Sequence, residues 1–392
     1  MALPIGYSFK SLFLRPVRTA TTVGVIAMVV VACSLMLGLI SSVKRTLVST
    51  GDPRNLVVMR KGADSDGSSQ VSLEAYQAIR FLPGIREASD GTTLVSPELV
   101  VQPFLATGEG GRDNVLVRGV ERVALRVHDQ VVIEDGRMFT PGQGEVVVGR
   151  ALQGRYRDTE VGDTLEFGRS SWLVVGVMEA GGSAFESEIW ADVRELATDA
   201  RRTLPFSGIR LRAEDGESMS ALAARIEGDS RFALAVSSET DYYARQGDAA
   251  NVLYLLVVGI AVLAGISAGF GAANTMYAAV ESRVAEIGTL RSLGFSKGAI
   301  LVAFEMEALA LACLGLGLGV GAAFVLSLVI ELLIGGVSLG TGFVTSVVTL
   351  SIGPRDFAFA AMLSLAIGVL GGTGPAWRAA GLRPVEALRR SA

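Results

Sequence analysis

Four long apolar runs stand out along the chain, at residues 19–42, 252–277, 299–334 and 357–374. A helix needs about 20 predominantly apolar residues to cross the hydrocarbon core of a bilayer, and each run has roughly that length or more. The pattern therefore predicts four transmembrane helices. Basic residues precede the first run, as in a secretory signal, but its apolar core is longer than the about 7–15 residues of a signal sequence. We predict that this run is retained as a membrane span.

The stretch between the first two runs has a mixed pattern, in which β-rich segments and segments of helical spacing lie between Gly, Pro and Asp residues. The β-rich segments are residues 55–59, 115–120, 145–148, 172–177 and 208–212, and the helical ones are 73–81, 194–201 and 218–226. Residues 61–69 (KGADSDGSS) predict a flexible loop. The sequence thus predicts an α-helical membrane protein with four transmembrane helices and a large α+β extracytoplasmic domain inserted between helices 1 and 2.

Three domains follow from this pattern. Residues 1–43 are predicted as a cytoplasmic N-terminus with transmembrane helix 1, residues 44–250 as the extracytoplasmic domain, and residues 251–392 as a domain with transmembrane helices 2–4. Four spans place three basic clusters on one side of the membrane, which the positive-inside rule identifies as the cytoplasm. The clusters are Lys10, Arg15 and Arg18, then Arg283, Arg291 and Lys297, then Arg378, Arg383, Arg389 and Arg390. Both termini are therefore predicted to be cytoplasmic, in a multi-pass protein of the cell (inner) membrane.

A charged segment, ESRVAEIGTLRSLGFSKGAI at residues 281–300, separates the second and third runs. Its charged side chains would be costly in hydrocarbon, and it is too short to fold as a domain. We predict a short helix at residues 281–297, held between two spans and placed to receive a push from another protein. An ordinary solvated helix is the alternative.

The third run contains GLGLGVG, in which Gly315 with Gly319 and Gly317 with Gly321 are small-xxx-small pairs. Such pairs allow helices to approach closely in a membrane. Packing within one subunit and packing across a dimer interface are equally consistent with the sequence. Near the start of this run, Glu307 is either solvated in the interface zone or paired with an arginine of the charged segment.

The composition limits the kinds of binding site that the chain is predicted to contain. Half of the 392 residues are hydrophobic, the formal net charge is −4, and no basic stripe indicates nucleic-acid binding. Cys33 and Cys313 fall inside apolar runs, which favours packing over a disulfide or a zinc site, so no metal site is predicted.

An enzymatic extracytoplasmic domain is the alternative from another functional class. Nucleophilic catalysis would depend on His128, the only histidine, whose neighbours (LRVHDQVV) indicate a strand edge and a structural or exposed histidine. The acidic pairs Glu134/Asp135 and Glu186/Glu188 are candidates for acid–base work, but a solvated surface is the commoner location for such pairs. No catalytic residue is predicted.

The charged segment resembles the cytoplasmic loop of the MacB/FtsX-type ABC transporter permeases, in which an ERxxEIGxLRAxG-like stretch links the second and third spans. The matching residues are Glu281, Arg283, Glu286, Ile287, Gly288, Leu290, Arg291, Leu293 and Gly294. The chain start is similar to the family's opening through Leu12, Arg15, Arg18, Thr19, Thr22 and Gly24, and its tail is similar to the closing motif through Pro375, Ala376, Arg378, Ala379, Ala380, Pro384, Ala387, Leu388 and Arg389. Three motifs in order on this topology make the resemblance specific.

The resemblance implies that a separate ABC ATPase subunit binds ATP and Mg, and that this chain holds no cofactor. The sequence agrees, since it contains no G-x-x-x-x-G-K-[ST] phosphate loop. The charged segment would be the coupling helix, with an apolar face of Ile287, Leu290 and Leu293. Glu286 and Arg291 would orient it, while Gly288 and Gly294 would let backbones approach or end the helix.

The family also implies a permease dimer in contact with membrane lipids, which transmits ATP-driven motion to the extracytoplasmic domain for substrate export or extrusion. A periplasmic adaptor and an outer-membrane channel are further possible partners. Two alternatives share this architecture: an FtsX-like scaffold that regulates cell-wall enzymes, and a permease that extracts lipoproteins from the membrane.

Overall fold

The computed structural model describes residues 16–108, 110–334, 337–341, 344–348 and 350–383. The predicted orientation and motif residues Lys10, Leu12, Arg15, Pro384, Ala387, Leu388, Arg389 and Arg390 lie outside this part of the chain. Two compact units make up the molecule. One, the membrane unit, combines Met1–Ser41, Val252–Ile334 and Leu350–Ala392, and the other, the ectodomain, combines Ser42–Asn251 with Gly335–Thr349.

Ten α-helices lie within the described residues. In chain order they are α1 (Pro16–Thr50), α2 (Leu73–Ile79), α3 (Ala124–Val127), α4 (Val193–Asp199), α5 (Gly216–Glu227), α6 (Glu239–Gln246), α7 (Asp248–Glu281), α8 (Val284–Ser292), α9 (Lys297–Ile334) and α10 (Pro354–Gly381). Four of them, α1, α7, α9 and α10, are long and apolar enough to cross a membrane, which confirms the four predicted spans. Each extends beyond its apolar run because the backbone helix continues into polar flanks.

Fourteen strands lie in the same described ranges. They are β1 (Asn55–Arg60), β2 (Val95–Val101), β3 (Phe104–Ala106), β4 (Arg112–Asn114), β5 (Leu116–Val120), β6 (Val132–Gly136), β7 (Glu145–Gly149), β8 (Thr164–Phe167), β9 (Ser170–Glu179), β10 (Glu188–Asp192), β11 (Gly208–Arg212), β12 (Leu234–Ser238), β13 (Val337–Thr341) and β14 (Val344–Val348). Ten form one sheet in the order β12-β1-β11-β2-β5-β10-β7-β9-β6, with β8 also paired to β9. Its pairs are antiparallel except β5 with β10 and β7 with β9. The predicted α+β domain is confirmed.

The central strands of this sheet are covered on both faces. Along β10, Ile189 and Ala191 pack into one apolar cluster, while Trp190 between them packs into another. Alternate residues of a strand point to opposite faces, so a strand buried on both sides has a continuous apolar sequence. The same holds for β7, whose sequence is EVVVG.

Two features differ from the sequence-based prediction. The stretch 61–69 is not simply a flexible loop, because it contains a 3-10 turn, Asp66–Ser68, in which Asp66 is buried. The connection between the third and fourth spans contains two antiparallel strands, β13 and β14, where the sequence predicted no β-rich segment. Of the two free cysteines, Cys33 is buried and Cys313 is exposed on α9.

Candidate functional site

The charged segment folds as a short helix between two spans of the membrane unit. The span helix α7 ends at Glu281, α8 covers Val284–Ser292, and α9 begins at Lys297. Gly294 follows the last turn of α8 with φ +91°, a left-handed conformation that glycine adopts without steric cost. The amide of Gly294 donates to Arg291 O at 3.2 Å, which closes the end of the helix.

The three predicted docking residues of the charged segment do not lie on one face. Ile287 is 2% exposed and packs with Val280, Phe304 and other apolar residues of its own spans. Leu290 is half-buried, whereas Leu293 is 68% exposed. The physical reason is that two steps of three residues rotate a side chain about 120° around an α-helix, so Leu293 points away from Ile287. Ile287 therefore anchors α8 against its own spans, and of the three residues Leu293 is the exposed one; docking at this segment stays a prediction.

The other matched residues of the segment are likewise divided between exposed and buried positions. Glu281, Glu286 and Gly294 are exposed, whereas Gly288 is buried beside Ile287. Arg291 is half-buried and donates through Nη1 to Phe295 O at 3.0 Å. Arg291 thus helps to close the end of its own segment.

Two ion pairs attach the segment to neighbouring spans. Arg283, which precedes α8, donates through Nη1 to Glu307 Oε2 of α9 at 3.2 Å, with both side chains largely buried. Of the two alternatives for Glu307, the structure shows the ion pair. Arg378 of α10 donates to Glu281 Oε1 at 3.3 Å, and both of these side chains are exposed.

The glycine pairs of α9 face different surroundings. A Cβ at Gly315 would lie 2.6 Å from the Ile26 side chain, and one at Gly319 would lie 2.7 Å from Val30, so this pair packs against α1 of the same chain. Within the described residues, nothing lies within 4 Å of a Cβ built at Gly317 or Gly321. A dimer interface at that second pair stays a prediction.

The ectodomain contains a second polar site, in which charges are buried among the strands. Arg118 of β5 makes a bidentate pair with Glu188 of β10 through two bonds of 2.6 Å, and it donates to Glu98 Oε2 of β2 at 2.8 Å. Arg210 of β11 is 0% exposed and lies 2.5 Å from Asp66 Oδ2 and 3.1 Å from Glu98 Oε2. Glu188 was expected on a solvated surface; it is buried because Arg118 neutralises it.

These arginines set the ionisation of the buried acids. Burial alone would raise the pKa of Asp66, but Arg210 and Arg118 outweigh that effect and hold the pKa below its usual range. Burial likewise opposes ionisation of Glu98, and Arg210, His128 and Arg118 together keep its pKa well below the usual range. Both acids are therefore charged at neutral pH.

His128 belongs to the same cluster. It directly follows α3 rather than forming a strand edge, and its side chain is buried. Its Nε2 lies 2.9 Å from Glu98 Oε1, and its ring lies 4.7 Å from the centre of the Phe185 ring. This packing gives His128 a structural environment.

Four members of this cluster were not predicted from the sequence: Asp66, Glu98, Arg118 and Arg210. A usable signal exists for three of them, because each is a charge within an apolar strand, in SPELVV, LVRGV and GIRLR. Within the part of the chain that the structure describes, no three His, Cys, Asp or Glu side chains are grouped so as to hold a metal ion.

The fold and the helix between two spans define a multi-pass membrane protein with an inserted extracytoplasmic domain. The sequence matches the MacB-like periplasmic core domain over residues 19–229 and the FtsX-like permease C-terminal domain over residues 258–384. The chain belongs to the MacB/FtsX-type family of ABC transporter permeases.

Several curated relatives carry the name macrolide export ATP-binding/permease protein MacB. The protein from Hahella chejuensis is 30% identical over 296 residues, which are 71% of this chain and 43% of that protein. The one from Chromobacterium violaceum is 28% identical over 342 residues, covering 79% of this chain and 49% of the relative. The chain therefore spans less than half the length of these two relatives.

Two solved structures are similar to part of the chain. The extracellular domain of the noncanonic ABC-type transporter YknZ from Gram-positive bacteria has 15% identity and a TM-score of 0.36, covering 47% of this chain and 99% of that one. The periplasmic region of MacB from Actinobacillus actinomycetemcomitans has 13% identity and a TM-score of 0.38, covering 49% and 92%. TM-scores this low do not establish a shared fold.

Proposed function

We propose that this chain is the permease subunit of a MacB-type ABC transporter. A separate ATPase subunit binds ATP and Mg, docks on the charged segment, and drives movement of the ectodomain for substrate export or extrusion. Both termini and α8 lie on the cytoplasmic side, and two permease chains act together. A periplasmic adaptor and an outer-membrane channel complete the path where the outer face is a periplasm.

One observation carries this proposal: one side of α8 is fixed against the spans, and the end of the charged segment is exposed. Ile287 is buried among its own spans, and Arg283 pairs with the largely buried Glu307. On the other side, Leu293 is 68% exposed beside Gly294 and Lys297, which are also exposed. A large apolar side chain held on a fixed, charged surface favours a protein partner.

Affinity purification of the tagged chain in mild detergent tests the proposal. Wild type, Leu293→Asp and the control Phe81→Asp are compared, since Phe81 is an equally exposed aromatic residue of the ectodomain. We expect an ATP-hydrolysing subunit to co-purify with wild type and with Phe81→Asp, and to fall at least about tenfold with Leu293→Asp. Equal recovery from all three variants, or no ATPase with folded wild type, would overturn the proposal.

A further inference from the structure

Glu239 occupies the place where two chain segments leave the ectodomain sheet. It is the first residue of α6, which continues through Gly247 into the span helix α7. Its side chain is 0% exposed. Through Oε2 it accepts hydrogen bonds from the amide of Asp52 at 3.0 Å and from Asn55 Nδ2 at 2.9 Å. Both donors follow the end of α1, the helix that carries the first span. One carboxylate therefore links the segment after the first span to the segment before the second span.

The end of α1 is held closely at this point. Thr50 O accepts from Gln130 Nε2 at 2.8 Å, and the Thr50 hydroxyl accepts from the amide of Ala184 at 2.8 Å. A Cβ at Gly51 would lie 2.9 Å from the carbonyl oxygen of Glu239, which shows how closely the two backbones approach. The end of α1 and the start of α6 are therefore in direct contact.

The other carboxylate oxygen faces the sheet. Glu239 Oε1 lies 3.6 Å from His128 Nδ1 and 4.0 Å from Arg210 Nε. These three atoms and the Tyr243 hydroxyl are buried, and within the described residues none of them has a hydrogen-bond partner. The distance to His128 is about 0.6–0.7 Å longer than an ordinary N–H···O hydrogen bond.

We propose that Glu239 is a positioning residue that joins the two chain segments leading to the first and second spans and holds both against the buried charge cluster of the sheet. The inference rests on the proposed function, because a permease that moves its ectodomain needs both segments fixed to one site on it. The other oxygen, Oε1, accepts no hydrogen bond within the described residues but faces His128 Nδ1 and Arg210 Nε of that cluster.

Glu188 provides the matched control. It is a buried carboxylate of the same cluster, but its partners, Arg118 and the indole nitrogen of Trp190, lie within the sheet. A purely structural role predicts that loss of either carboxylate loosens the same core. The proposed positioning role predicts that loss of Glu239 loosens the two segments that lead to the spans, residues 51–55 and 240–246, before the rest of the ectodomain.

Amide hydrogen exchange of the full chain in lipid nanodiscs separates these outcomes. In Glu239→Ala we expect amides of residues 51–55 and 240–246 to exchange at least tenfold faster, with those of β5 and β10 unchanged. Glu188→Ala should show the reverse pattern. Glu239→Gln, which keeps an acceptor for Asp52 and Asn55, should restore protection at residues 51–55.

Equal acceleration throughout the ectodomain in Glu239→Ala, or no acceleration at residues 51–55 and 240–246, would overturn the inference. Should Glu239→Ala not fold, Glu239→Asp withdraws the carboxylate by one methylene and carries the same expectation. The exchange measurement needs no ATPase. Loss of the proposed function would therefore appear as failed ATPase recovery with wild type, while failure of the positioning role would appear in the exchange pattern.

Discussion

Arginine side chains pair with carboxylates in two regions of the molecule, and the two regions differ in solvent exposure. In the ectodomain, Arg118 and Arg210 are buried and each contacts more than one acid. At the charged segment, Arg283 has one largely buried partner, and Arg378 meets Glu281 at the surface. In the ectodomain the charges pair with one another inside the fold. In the charged segment some charged and apolar side chains remain exposed, where another protein could contact them.

The difference has an energetic meaning. Taking a charge out of water is expensive, so a buried ion is tolerated only while its partners are in place. A surface pair contributes little, about 0–1 kcal/mol in most measurements. The ectodomain cluster should therefore respond strongly to loss of one member, and the exposed part of the charged segment should not.

The largest expected effect tests the buried side of the comparison. Arg210→Ala leaves Asp66 and Glu98 without a main partner, and we expect the free energy of unfolding to fall by about 3–5 kcal/mol. Denaturation followed by the fluorescence of the buried Trp172 and Trp190 measures it. The control Arg231→Ala removes an exposed arginine paired with Asp229 and should have no measurable effect. Similar losses in both variants would refute the contrast.

Acid should weaken the same cluster. The pKa values of Asp66 and Glu98 are lowered in the folded protein, so their contribution is complete above about pH 5 and is lost as pH falls through the folded-state values. We expect the free energy of unfolding to decline between about pH 5 and pH 3, because the unfolded chain takes up protons there while the folded chain does not. The decline should be less steep in Asp66→Asn, and a titration of denaturation midpoints against pH measures both slopes. Identical slopes in the two proteins would contradict the assigned cause.

The ion pair between Arg283 and Glu307 should have a smaller effect on stability than the loss of Arg210. A double-mutant cycle with Arg283→Ala and Glu307→Ala is expected to give a coupling energy of about 1–2 kcal/mol, because both side chains are largely buried. The corresponding cycle on the exposed pair, Arg378 with Glu281, should be additive. Unfolding of the membrane unit in a detergent titration is the measurement, and an additive result for Arg283 and Glu307 would refute their role as an anchor.

The smallest expected change in stability comes from the exposed face. Leu293→Ser should leave the free energy of unfolding unchanged within measurement error, because the side chain is already in solvent. Ile287→Ser at the buried position is the matched comparison and should destabilise the membrane unit. Equal effects of the two substitutions would show that Leu293 is also a packing residue.

Much of the fold could be predicted from the sequence because its signals are local. A span is recognisable from about 20 apolar residues, and β7 from a short β-branched run between turns. The charged segment was likewise predictable, because charge cannot lie in hydrocarbon. The burial of Ile287 was harder to predict from the sequence, since it depends on where the spans lie around α8.

The buried cluster could not be predicted for a different reason. Asp66 and its partner Arg210 are 144 residues apart in the chain, and Asp66 lies among turn-forming residues that normally face water. Only the folded sheet brings the two together. Burial of Glu98, Arg118 and Arg210 within strands was visible as charge among apolar neighbours, but their pairing was not.

Photocrosslinking most directly tests the central claim, that the exposed face of the charged segment receives an ATPase. A photoreactive phenylalanine is placed at position 293, or at position 81 of the ectodomain as a control, and cells are irradiated before purification. The account predicts that position 293 yields an adduct with an ATP-hydrolysing subunit and that position 81 yields none with it. An ATPase adduct from position 81, or its absence from position 293 in a folded, membrane-inserted chain, would contradict the account.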